Sequence, residues 1–156
     1  MFQSLYEKIA GQLSASDIEA DERDAAVRLA TAVLMVDVAL VDSSFDETEF
    51  DQMLGLIKRQ FGLGIQEAAD LINAANAKAD ELISVRELTN FLCEQLSEDE
   101  KSRVVQLLWS VAYSDGQLDK YENSLVLKVS DLLQINRDLV VDLKLDAEKA
   151  ARASDQ

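Results

Sequence analysis

The chain has 156 residues, enough to bury a real core as one domain, and 48% of them are hydrophobic, which excludes a disordered chain. Thirty acids against fifteen bases give a formal net charge of −15, shared almost evenly by the two halves. Phosphate backbones and anionic lipid surfaces are therefore repelled, while cations and basic protein surfaces are attracted. With no histidine and a single cysteine, Cys93, the chain lacks Ser-His-Asp and Cys-His arrangements, thiolate metal clusters and an internal disulfide.

Proline is absent and glycines number five, and apolar residues recur at three- and four-residue spacing nearly throughout. About eight helices are expected. The first spans Phe2 to Leu13. The second, Asp21 to Val41, is apolar almost all round from Leu29, as a central buried helix should be. The third, Glu47 to Phe61, carries Phe50, Met53, Leu54, Ile57 and Phe61 on one face, with Gly62 and Gly64 after its end. The fourth runs from Ile65 to about Ala77 and the fifth from Val85 to Leu96. The sixth, Glu98 to Ser114, should bury Val104, Leu107, Leu108, Val111 and Ala112. The seventh, Lys120 to Leu133, should bury Leu125, Val126, Val129, Leu132 and Leu133. The last starts near Asn136 and frays into a polar tail, Ala150 to Gln156. Five boxes mark helix starts: Ser16–Glu19, Asp46–Glu49, Ser84–Glu87, Ser97–Glu100 and Asp119–Glu122. The longest nearly apolar run, Leu29 to Val41, is too short for a bilayer span of about 20 residues. With no signal-like start, a soluble cytoplasmic protein is expected.

One phrase occurs twice, 73 residues apart. Asp42-Ser-Ser-Phe-Asp46-Glu-Thr-Glu49 is echoed by Asp115-Gly-Gln-Leu-Asp119-Lys-Tyr-Glu122, each preceded by Val-Ala-x-x-Asp and followed by an amphipathic run. Between residues 34 and 54, seven of 21 positions are identical to those 73 further on. Two helices joined by about four residues run antiparallel. The expectation is an all-α single multihelical domain of seven to eight helices, with two hairpins related by a pseudo-two-fold axis and the second and sixth helices central.

The acidic bends are the only constellation suited to chemistry. Asp46 with Glu49, and Asp119 with Glu122, have capping-box spacing, and a negative charge at a helix N-terminus is favoured by roughly 0.3–1 kcal/mol. Asp42 and Asp115 sit instead beside the carbonyl end of the preceding helix, where a carboxylate is unfavourable by a similar amount. A repeated unfavourable charge invites a cation. Asp42, Asp46, Glu49, Asp115, Asp119 and Glu122 are the candidate metal ligands, and carboxylates at i, i+4 and i+7 suit Ca²⁺ or Mg²⁺. The rival is a basic side chain from another helix. An EF-hand is excluded: its turn glycine and bidentate Glu are replaced by Glu47 and Met53 in one copy and by Lys120 and Val126 in the other.

Asp37 interrupts the buried second helix as a polar edge or a functional carboxylate. Trp109 and Cys93 suit packing. Tyr113 and Tyr121 flank the second bend, as packing residues or as an aromatic rim for a partner's Lys or Arg.

These residues resemble the TerB family, named for the tellurite-resistance protein TerB. The copy from Val111 to Glu122 carries Ala-x-x-Asp-Gly…Glu, while the first copy has Ser43 where Gly is usual. The similarity spans about residues 25–145. It implies an all-α, internally duplicated domain of about seven or eight helices. The expected organisation of the chain is an N-terminal helix and linker at 1–20, a helical domain at 21–149 with repeats at about 25–70 and 98–143, and a polar tail at 150–156. The resemblance also implies acidic residues proposed to bind metal, and a link to tellurite resistance or stress. A DnaJ-type module, found on some relatives, is excluded because its His-Pro-Asp motif needs residues this chain lacks. The function expected is a non-enzymatic acidic module without catalytic residues, binding a protein partner with a basic surface, a divalent cation, or both. The alternatives are a plain oligomeric scaffold and a carboxylate-based hydrolase.

Overall fold

The computed structural model describes residues 20–41, 47–79, 84–114, 118 and 120–154. The expected helix at Phe2 to Leu13, the Ser16–Glu19 box, and Asp42, Asp46, Asp115 and Asp119 lie outside these residues.

Among the described residues there are seven α-helices and no strand: α1 (Ala20–Leu40), α2 (Glu47–Phe61), α3 (Ile65–Ala79), α4 (Val85–Gln95), α5 (Glu98–Ala112), α6 (Lys120–Leu132) and α7 (Arg137–Ser154). Each starts within a residue of where the periodicity puts it. The last differs at its end. α7 runs through Ala150 to Ser154, where the polar tail was expected, because Ala147 is buried and Ala151 still touches the core.

α1 lies at the centre, against α2, α3, α4, α5 and α6. Its apolar circumference explains this: Ala30, Ala32, Val33, Met35, Val36 and Val38 are all fully buried. Thr31 is buried too, its hydroxyl satisfied by donating to the Val27 carbonyl at 2.9 Å. α5 is the second central helix, touching α1, α2, α6 and α7. It buries Val104, Leu107, Leu108, Val111 and Ala112 as expected, and Trp109 as well. Removing such side chains from water contributes roughly 1.5–3 kcal/mol each before entropy is counted.

The packing obeys a two-fold rule. α1 against α3 is matched by α5 against α7, α1 against α2 by α5 against α6, and α2 against α3 by α6 against α7. The cross-contacts match as well, α2 on α5 with α6 on α1. The related units are thus three helices each, larger than the expected hairpins. Val27 and Thr31 of α1 share a cavity wall with Glu100 and Val104 of α5. Ala39 lies across another from Val111. The two central helices therefore run parallel.

The closing turns repeat in detail. Gly62 after α2 and Gln134 after α6 have φ of 64° and 63°. The amide of the following residue reaches back in both copies, Leu63 to the Lys58 carbonyl at 3.3 Å and Ile135 to the Ser130 carbonyl at 3.1 Å. This is a Schellman cap with an apolar residue at its far end.

Candidate functional site at the paired bends

Each acidic bend follows the C-terminal end of a central helix, and because α1 and α5 run parallel, the two ends lie together. Ala39, Glu49 and Met53 of the first copy line one small cavity of about 10 Å³ with Val111 and Ser114 of the second. That is about the space of a single water. The Gln52 amide, one turn after Glu49, donates to the Ser114 carbonyl at 2.8 Å. Gln52 thereby satisfies a backbone acceptor left over at the end of α5, and ties the start of α2 to the threshold of the other bend.

Of the six candidate ligands, Glu49 and Glu122 are described. Both stand in the first turn of their helices. Glu49 is half-buried and Glu122 is only 4% exposed. A solvated capping Glu stays at the surface, as Glu100 does in the complete box with Ser97. There, hydrogen bonds from the Ser97 backbone and then its side chain hold the Glu100 carboxyl below its ordinary pKa. The inward placement of Glu49 and Glu122 sets them apart. Among the described residues, no three carboxylate or thiol side chains converge as a metal site. Asp42, Asp46, Asp115 and Asp119 lie outside them.

Asp37, one turn before the bend in α1, is half-buried, and burial pushes its carboxyl from 3.8 up to about 6. The two tyrosines at the second bend separate. Tyr113 is buried, and burial followed by the nearby Glu148 charge raises its pKa. Tyr121 is 57% exposed, with the Lys120 ammonium 5.2 Å from its ring centre. Of the expected aromatic rim, only Tyr121 faces outward. Cys93 is half-buried, its thiol near the Leu132 carbonyl at 3.5 Å, and burial raises its pKa. That is the environment of an inert packing thiol.

Sequence reasoning missed two features. Gln52 is an exposed polar residue of α2, and nothing in the sequence marks its reach to the Ser114 carbonyl. A groove of about 610 Å³ between α2 and α7 was not foreseen, since no single segment encodes it.

An all-α unit, duplicated about parallel central helices with an acidic bend after each, defines a class of acidic multihelical modules. Within that class, the family model described as Tellurite resistance protein TerB matches residues 28–145, and the chain belongs to the TerB family. Neither a curated protein nor a solved structure matches the chain.

Proposed function

We propose that the protein is a non-enzymatic acidic module of the tellurite-resistance type, acting in the cytoplasm, that binds a divalent cation, Ca²⁺ or Mg²⁺, at its paired bends and presents that end to a basic protein surface. The observation that supports this reading is the cavity wall shared by Ala39 and Glu49 with Val111 and Ser114, since it makes neighbours of the described residues that flank the two acidic segments. Asp42, Asp46, Glu49, Asp115, Asp119 and Glu122 would supply hard oxygen ligands. A hydrolase is disfavoured by the lack of histidine.

Calorimetric titration of chelator-treated protein with CaCl₂ and MgCl₂ tests the cation. Saturable binding, weakened tenfold or more in the Asp42→Asn/Asp115→Asn double variant, is expected. Absence of heat up to millimolar ion would leave only helix capping. A scaffold reading draws on Val141 and Leu145, one turn apart on α7 and 50% and 46% exposed. Light scattering that gives one mass with and without Ca²⁺, above that of a monomer, would favour it.

A further inference from the structure

The groove between α2 and α7 is the counterpart of a place that is filled elsewhere in the fold. Around α1, α4 lies against both α1 and α6, and its Cys93 thiol meets the Leu132 carbonyl at the end of α6. Applying the two-fold rule, the matching position lies against α5 and α2. The groove is there, walled by Gly55 and Arg59 of α2, Ser110 and Tyr113 of α5, and Ala147 and Ala151 of α7. Ser110 is the counterpart of Asp37. Ala30 and Val33 of α1 are fully buried, whereas their counterparts on α5, Arg103 and Gln106, are exposed.

The sequence supplies a counterpart of α4. Gln95-Leu96-Ser97, which ends α4 and caps α5, is repeated as Gln12-Leu13-Ser14 ahead of α1. In the same register, Val85, Leu88 and Leu92 correspond to Phe2, Leu5 and Ile9. Leu88 and Leu92 are the fully buried anchors of α4. The third anchor, Phe91, corresponds to Lys8.

We propose that the groove is the docking slot for the chain's own residues 2–13, held in cis by Leu5 and Ile9.

Amide hydrogen exchange on the full chain tests this. We expect protection over residues 2–13, and also over Gly55–Arg59 and Ala147–Ala151 beyond that of the same segments in a Leu5→Asp/Ile9→Asp variant. In that variant residues 2–13 should exchange as free chain, and the two wall segments about tenfold faster, with α1 unchanged. Gly55→Leu is the second arm. A β-carbon at Gly55 meets only the tip of Arg59, at 3.5 Å, so the new side chain obstructs the slot without disturbing α2. It should release the same protection over 2–13. Free-chain exchange of residues 2–13 in the unaltered protein would overturn the proposal, as would walls indifferent to both variants. Protection that disappears on dilution as a dimer dissociates would assign the slot to a second copy, and would overturn docking in cis.

Discussion

Gln134 holds a φ of 63° at an exposed turn, where its counterpart Gly62 holds 64°. A left-handed conformation costs an L-residue roughly 1–2 kcal/mol, part of which glycine gives back through its freer unfolded chain. Gln134→Gly should therefore stabilise the fold by about 0.5–1 kcal/mol, read as a higher urea midpoint at constant slope. Gly62 was legible as a helix stop, whereas a glutamine carries no such signal, and only the two-fold comparison reveals its strain. Asp37 makes a different residue-scale prediction. Its folded pKa, about 6, lies above the ordinary 3.8, so the folded state holds the proton longer than the unfolded one. Stability is then fully present below pH 4 and declines as the pH rises through 6. Full burial would make this nearly 3 kcal/mol at about 1.4 kcal/mol per pH unit. Asp37 is half-buried, and solvent screening reduces the expected loss to about 1–2 kcal/mol. Asp37→Asn should remove most of that decline, measured as urea unfolding free energy at about pH 4 and pH 7.5, and should be the more stable protein at the higher pH. A slope unchanged in the variant would place the titrating group elsewhere.

At the scale of elements, helix positions were legible because capping chemistry and 3.6-residue periodicity coincide. Ser97 and Glu100 exchange both hydrogen bonds, at 3.3 and 3.0 Å, and α5 starts at Glu98 as the box requires. Ser84 caps α4 through its hydroxyl and the Glu87 amide at 3.1 Å. Ser97→Ala should cost about 1 kcal/mol, with an added sign that a merely local role would not produce. The Glu100 carboxyl, now held low by Ser97, should titrate closer to its ordinary value in an NMR pH series. The end of α7 was illegible for a related reason. Polar residues after Ala150 suggested fraying, but the decisive contact, Ala151 on the core, is tertiary and leaves only a small residue as its trace. Likewise the candidate site divided by what side chains reveal. Acidic spacing identified the bends, whereas the placing of Glu49 beside Val111 and Ser114 of the other repeat is tertiary.

For the whole molecule, the repeat foretold the two-fold arrangement because matched apolar positions must find matched partners. It could not foretell that the central helices run parallel, with Ala39 near the end of one beside Val111 near the end of the other. That arrangement occurs in a chain of net charge −15, so two electrostatic effects must be separated. Diffuse self-repulsion weakens the compact state and is screened over about 10 Å at 0.1 M salt and 3 Å at 1 M. Raising KCl from 10 to 500 mM should therefore raise the thermal midpoint by several degrees, whatever the bends do. Site binding adds a term set by affinity. At 100 times its Kd, Ca²⁺ or Mg²⁺ would stabilise by about 2.7 kcal/mol, or about 5–10 °C for a domain of this size, at constant ionic strength. The Asp42→Asn/Asp115→Asn variant removes two charges of a net −15 and should keep nearly all of the KCl response. It should lose the divalent response measured at matched ionic strength. A divalent response that survives the substitutions would mean the ion acts through the diffuse field, and the paired bends would then be structural turns rather than a binding site.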